Sequence, residues 1–262
     1  MLRALKTAAL GMTAQQLNVD VIANNLANVN TTGFKKSTIE FQDLLYENLQ
    51  LGDRDARKGH ENPVKLQIGL GSRPISTFRS FSRGDVVQTG NSLDLAINGR
   101  GFFQVELADG NYAYTRDGSF KINSEGYLVT SSGLKVIPEI SIPENVSTIH
   151  ISENGLVTVM IDGETEPQEI GQIELVTFMN PAGLLARGGN LFSVTEASGE
   201  PIFGLPNEQG FGGVMQGYLE KSNVDVAQEM INLIVAQRAY EINSKAVKTA
   251  DELLSMINNL KR

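Results

Sequence analysis

From Tyr218 to Arg262 the chain contains neither glycine nor proline, although the whole sequence carries 26 Gly and 8 Pro. Apolar residues in this stretch, Ala227, Met230, Ile231, Ile234, Ile242, Ala246, Leu253, Ile257 and Leu260, recur at steps of three to four, the period of an α-helix. One unbroken helix is predicted. Asn223 or Asp225 is its expected N-cap, with Glu229 in the first turns and Lys261 and Arg262 at the end, the polarity that a helix dipole favours. At ~1.5 Å per residue such a helix is roughly 55–60 Å long. A narrow apolar stripe on so long a rod needs a partner beside it.

The N-terminus supplies one. Leu2, Leu5, Ala9, Met12, Gln16, Val19, Ala23 and Leu26 fall on the alternating 3–4 spacing of a heptad seam. The two terminal helices are therefore expected to bury their seams on each other or on other subunits. An ordinary surface helix at each end of a domain has the same periodicity.

Between the ends the period changes to two. Phe103-Val105-Leu107, Phe120-Ile122, Ile140-Ile142, Ile149-Ile151, Val157-Val159-Ile161 and Ile173-Leu175 alternate with polar residues. The pairs Asp109-Gly110, Asp117-Gly118, Glu125-Gly126, Asn154-Gly155 and Asp162-Gly163 between them are hairpin signals. Short antiparallel strands in a sandwich or barrel-like domain follow, rather than βαβ units. The predicted fold class is α+β: long N- and C-terminal helices pairing as a coiled coil and flanking a central antiparallel β domain. The expected parts are residues 1–36 as helix and Asn-rich segment, 37–77 as an extended arm, 78–217 as the β domain and 218–262 as the second helix. Residues 47–66 show no hydrophobic period and form either a linker or an arm that orders against neighbouring subunits.

Charge and composition exclude several classes of function. The net charge is −8, and residues 37–216 hold 23 acidic against 12 basic side chains, which argues against a nucleic-acid footprint. No apolar run approaches the length of a membrane-spanning helix, and the short patch after Arg3 and Lys6 runs into the heptad pattern, so no cleaved signal peptide is expected. With no cysteine there is neither a disulfide framework nor a thiolate metal site. His60 and His150, the two histidines, have no nucleophile or ligand partner at metal-site spacing. Gly99-Arg100-Gly101 precedes a strand and reads as a turn or bulge, not a dinucleotide fingerprint. Asp162, Glu164, Glu166 and Glu169 read as a solvated edge, not as the carboxylate pair of a glycosidase. The chain is expected to be no enzyme and to need no cofactor or metal.

Ala23-Asn24-Asn25-Leu26-Ala27-Asn28-Val29-Asn30-Thr31-Thr32-Gly33-Phe34-Lys35 combines poor helix formers with a heptad pattern. Amides on a helix face can join neighbouring helices at less desolvation cost than charges, and Gly33 is the expected C′ residue of the helix. This run resembles the N-terminal signature of the bacterial flagellar rod and hook proteins. Gln237-Arg238-Ala239-Tyr240-Glu241-Ile242-Asn243-Ser244-Lys245 resembles their C-terminal signature, and Asp94–Phe103 and Tyr114–Phe120 resemble internal segments of the rod members. Phe41-Gln42-Asp43-Leu44-Leu45-Tyr46, Gln67-Ile68-Gly69-Leu70-Gly71 and the total length are most similar to the distal-rod members. A proximal rod or hook-type axial protein is the nearest alternative. From a different class, a monomeric β-rich module that binds a ligand on its acidic face also fits the composition.

The resemblance implies a structural axial subunit that self-assembles into a helical tube, carries torque from motor to hook and encloses the export channel. It implies export by the flagellar type III pathway and a place in the basal body, within the periplasm. It also implies contacts with copies of itself, proximal rod proteins, the hook protein, the L and P rings and the export apparatus, without nucleic acid or membrane insertion. Asn24, Asn25, Leu26, Asn28, Phe34, Gln237, Arg238, Tyr240, Ile242 and Asn243 are the expected subunit-interface residues. Arg238 either bridges to a neighbouring helix through its planar guanidinium or rests its stem on apolar surface with its head in water. In the arm, Asp53, Arg54, Asp55, Arg57, Lys58 and Glu61 are expected to pair across subunits. Each such pair is worth only ~0–1 kcal/mol, but repetition along a tube adds them. Deleting residues 50–64 should therefore leave assembly possible while making the filament curved or easily bent. Electron microscopy of assembled deletion filaments checks this, and filaments as straight as the parent's refute it.

Overall fold

A computed structural model describes residues 2–49, 66–143, 145–162 and 166–260. The chain divides into two compact units. A helical unit comprises Met1–Leu26, Ser37–Phe78 and Val226–Arg262, and a β unit comprises Ala27–Lys36 and Arg79–Asp225.

Helix α1 spans Leu2–Ala27 and helix α2 spans Val226–Leu260. With 35 residues, α2 is about 52 Å long. Of the two expected caps, Asp225 directly precedes α2, whereas Asn223 is engaged elsewhere: its Oδ1 accepts from the Lys36 amide at 2.7 Å. Lys261 and Arg262, expected at the helix end, lie outside the described residues. Gly33 is not the C′ residue of α1, which ends six residues earlier. It adopts φ +68° because a side chain there would meet the Asp117 amide.

Four strands that the sequence reading took as arm lie in the helical unit as a two-stranded antiparallel ribbon. Ser37–Asp43 lies beside Ser72–Arg79, and Tyr46–Leu49 pairs with Leu66–Gly69. The ribbon packs on the start of α1, where Gly71 approaches Thr7 and Leu10, and Arg3 Nη2 meets Glu47 Oε1 at 2.7 Å. Residues 50–65, which include every charged arm residue named above, lie outside the described residues.

The β unit is built from antiparallel pairs. Its largest sheet runs in the order Val136–Ile137, Phe103–Glu106, Tyr112–Thr115, Leu191–Ser193, Leu185–Gly188. A second sheet joins Val146–Ile151, Leu156–Ile161 and Gln168–Gln172. Alternation puts the large sheet between two cores. Phe103, Val105 and Ala113 enter one cluster with Leu95, Ile97, Phe120 and Leu175. Phe102, Tyr114 and Phe192 enter the other with Val176, Phe178 and Leu184, where Tyr114 and Phe178 meet edge to face at 4.9 Å, the geometry that ring quadrupoles favour.

Three of the five Gly dipeptides form turns that join paired neighbouring strands, at Asp109-Gly110, Glu125-Gly126 and Asn154-Gly155; the fourth, Asp162-Gly163, lies between two paired strands, with Gly163 outside the described residues. Asp117-Gly118 joins no such pair. The Gly118 carbonyl accepts from Leu95 N at 3.0 Å, and a Cβ at Gly118 would stand 1.7 Å from the Leu95 oxygen. This glycine permits two backbones to touch. Ile140-Ile142 likewise forms no strand, Ser141 making only an isolated bridge to Tyr127. Gly118→Ala should force those backbones apart and destabilise the β unit by at least about 1–3 kcal/mol, the usual cost of overpacking. Denaturant melting followed by tyrosine fluorescence measures it.

Candidate assembly site

The two terminal helices meet through small and polar side chains. Asn25 Nδ2 donates to Glu229 Oε2 at 3.1 Å, and a Cβ on Gly11 would stand 2.9 Å from Asn243 Nδ2. From Asn25 back to Gly11 and from Glu229 on to Asn243 the same length of helix is traversed in opposite directions, so α1 and α2 run antiparallel. Their buried residues are Ala8, Ala14, Ile22 and Asn25 on α1, and Glu229, Ala236 and Ala250 on α2. Glu229, Ala236, Asn243 and Ala250 are spaced by heptads.

The expected α1 seam divides: Leu5, Met12, Val19 and Leu26 are half-buried. Ala9, Gln16 and Ala23 are exposed, and Leu2 is 77% exposed, whereas Ala8, Ile22 and Asn25, each one position earlier in the heptad, are buried. Small side chains line much of this contact. A Cβ on Gly11 would crowd the end of the Asn243 side chain, which would have to turn aside. Asn25 closes the N-terminal end of the contact. Its amide donates to the Ser37 carbonyl at 2.8 Å, and its oxygen accepts from the Ser37 amide at 3.0 Å, so one side chain ties the helix, the ribbon and Glu229 together.

The opposite side of α2 is bare within the chain. Met230, Ile231, Ile234, Val235, Ile242, Met256 and Ile257 are each more than half exposed. Met230, Ile231, Ile234 and Val235 form an exposed apolar patch in the first turns of α2, beyond which the exposed Arg238, Glu241 and Lys245 occupy the same side. The stripe seen in the sequence is thus not the surface that α1 covers.

The expected interface residues separate accordingly. Asn25 and Asn243 lie on the contact between the chain's own helices. Gln237 and Ile242 are exposed on α2, as are Tyr240 and Arg238, the last pairing with Glu241 one turn on at 2.8 Å. Asn24 is exposed, while Leu26, Asn28 and Phe34 are half-buried. Asn28 accepts from the Thr31 hydroxyl through Oδ1 and from the Thr31 amide through its carbonyl, forming the turn that ends α1.

Sequence reasoning missed a buried charge cluster in the β unit. Glu220 Oε1 accepts from Lys35 Nζ at 2.6 Å and from the Gly84 amide at 2.9 Å, and Oε2 faces Arg116 Nη1 at 3.4 Å. Lys35 Nζ also donates to the Ser82 carbonyl, and Arg116 Nη2 to the Gly99 carbonyl. Burial pulls the Lys35 pKa below the usual lysine value, opposed by Glu220 and reinforced by Arg116. Burial likewise lowers Arg116, with Glu220 opposing. Lys35 and Glu220 stand 185 positions apart, so no local pattern announces the pair. Gly11 left a faint trace as the lone glycine in an otherwise helical run.

Among the described residues no cluster of His and acidic side chains could hold a metal ion. His150 sits exposed on its strand, and His60 and Glu164 lie outside the described residues. Asp162, Glu166 and Glu169 are exposed, as a solvated edge requires.

A pair of helices closed by small residues, with an apolar face left bare on the longer one, defines a subunit built to associate through its ends. Comparison with known proteins agrees with that class. Residues 5–35 match the family described as flagella basal body rod protein, residues 96–159 the flagellar hook protein FlgE/F/G D1 domain, and residues 215–260 the flagellar basal body rod FlgEFG protein C-terminal region. The chain is 54% identical to the flagellar basal-body rod protein FlgG of Borreliella burgdorferi, with all of both chains covered. It is 40% identical to the FlgG of Bacillus subtilis, again over the full length of both. A flagellar hook-basal body complex protein of the same organism, FlhP, is 30% identical over both whole chains. The chain belongs to the flagellar basal-body rod protein family. None of these matches is to a catalytic family.

Gly11→Leu should wedge α1 off α2, since even a Cβ already crowds Asn243. The expected result is loss of α-helical circular dichroism with the thermal transition of the β unit retained, because a lone helix draws most of its stability from packing.

Proposed function

We propose that this chain is a structural axial subunit of the flagellar distal rod, polymerising with copies of itself into a helical tube that carries torque from motor to hook around an export channel. The observation that carries this is the bare apolar face of α2, opposite the side that α1 closes. Fully burying a large apolar side chain is worth about 1.5–3 kcal/mol, so several such residues on one helix supply a sufficient drive for subunit association. Family membership and full-length identity to rod proteins support the same reading.

In the proposed tube the antiparallel α1 and α2 of each subunit form a short coiled coil, and the α2 faces of neighbouring subunits cover one another. Gln237, Tyr240 and Ile242 lie between subunits, and Arg238 reaches an acidic or carbonyl group of the adjacent copy. Asn24, Leu26, Asn28 and Phe34 complete the contact on the α1 side. The charged residues Asp53, Arg54, Asp55, Arg57, Lys58 and Glu61 bridge neighbouring subunits and stiffen the tube. Proximal rod, hook, and L and P ring proteins are the neighbours along and around it. The subunit reaches this periplasmic part of the basal body through the flagellar export apparatus. Among the described residues no helix is long and apolar enough to cross a membrane.

Removing residues 240–262, or introducing Ile231→Asp with Ile234→Asp, should abolish polymerisation while the β unit melts as in the parent. Sedimentation at rising concentration with electron microscopy reads the outcome. Filaments formed by either variant would overturn the assignment, and a parent that stays monomeric at every concentration would favour the ligand-binding alternative.

A further inference from the structure

The charges buried in the β unit arrive from distant parts of the chain. Lys35 belongs to the opening segment Ala27–Lys36, and Arg116 directly follows strand Tyr112–Thr115. The carboxylate that both cations share comes from Glu220, on the last strand of the unit, Tyr218–Glu220. All three side chains are at most 4% exposed. The same late segment satisfies backbone groups of the early ones. The Glu220 carbonyl accepts from Gly33 N, Asn223 Oδ1 accepts from Lys36 N, and Asn223 Nδ2 donates to the carbonyls of Ser80 and Ser82. Tyr218–Glu220 also completes the ladder of Val86–Gln88.

We infer that Glu220 is a closing counter-ion: the β unit cannot fold until the segment 218–223 arrives, because closing earlier would bury two cations without a carboxylate. Burying one unpaired charge costs several kcal/mol. Lys35 and Arg116 also repel each other, and the orphaned amides and carbonyls of residues 33–36 and 80–84 add to the penalty. Since synthesis delivers the chain from its N-terminus, both cations stay in water until most of the sequence has appeared. Helix α2 begins at Val226, three residues after Asn223. Closure of the β unit therefore coincides with the first appearance of the helix that carries the apolar face. The inference concerns the folding of this chain and holds whether or not the chain forms a rod.

Two measurements test it. In the full-length protein, Glu220→Gln, which keeps shape and removes charge, should lower the folding equilibrium of the β unit by about a hundredfold or more. Adding Lys35→Met to that variant should recover at least about tenfold, because one of the stranded cations is gone. A Glu220→Gln protein that melts like the parent, or a double variant no better than the single one, overturns the charge argument. Nascent full-length chains stalled at successive points on the ribosome, probed by pulse proteolysis, read the order of events. Protection of the β unit is expected only once residue 223 is outside the tunnel. A protected β unit with residues 218–223 still enclosed overturns the gating.

Discussion

One carboxylate serving two buried cations is the constraint on which the β unit turns. Taking Lys35, Arg116 and Glu220 out of water is costly, and the Coulombic gain of the pairs offsets that cost only when the remaining donors and acceptors are also satisfied. The structure meets the condition with backbone groups, using Gly84 N on the carboxylate, the Ser82 carbonyl on the lysine and the Gly99 carbonyl on the arginine. Each of these contacts fixes a loop. Gly99 is held where strand Leu95–Asn98 ends, and Gly84 lies two residues before strand Val86–Gln88. The Arg116 guanidinium also lies over the Phe102 ring at 5.4 Å, which joins the charge cluster to the aromatic core. Such a cluster contributes more to defining one arrangement than to net stability, because no shifted register of Tyr218–Glu220 places a carboxylate between the same two cations.

The helical unit obeys a different economy. Ala8, Ala14, Ala236 and Ala250 each bury little apolar area in the contact, Ile22 adds one large apolar side chain, and the buried Asn25–Glu229 hydrogen bond supplies a polar tie. The large residues of α2 are left on the other side.

How much of this was legible follows from the range of each signal. Helices α1 and α2 are written in short-range periodicity, α2 also in the absence of glycine and proline, and their approximate ends are readable. Three of the five Gly dipeptides between alternating runs mark turns that join paired strands. The ribbon was missed because Ile39 and Phe41 are the only alternating apolar pair in Ser37–Asp43, too few to set a period. Part of the α1 seam is legible, since Leu5, Met12, Val19 and Leu26 are half-buried, but alternation alone does not say which small residues turn inward: Ala8 and Ala14 are buried while Ala9 and Ala23 are exposed. Asn25 was readable as an unusual helix residue, but the identity of its partners was not, since Glu229 lies 204 positions away.

The Asn-rich run at residues 23–35 reads as one signature but does two jobs. Asn25 belongs to the helical unit, where its amide copies a strand partner by bonding both the amide and the carbonyl of Ser37 while also reaching Glu229. From Ala27 onward the same run belongs to the β unit, where Asn28 and Thr31 stop the helix, Gly33 slips between the Asp117 amide and the Glu220 carbonyl, and Lys35 enters the charge cluster. Poor helix propensity is thus required at its end and tolerated at its start, for unrelated reasons. Asn25 suits its place because an amide can donate to Glu229 and to the Ser37 carbonyl while accepting from the Ser37 amide. The residues from Asn28 to Gly33 are kept because the chain must leave the helix within a few residues and place a lysine beside a carboxylate delivered from the far end of the β unit.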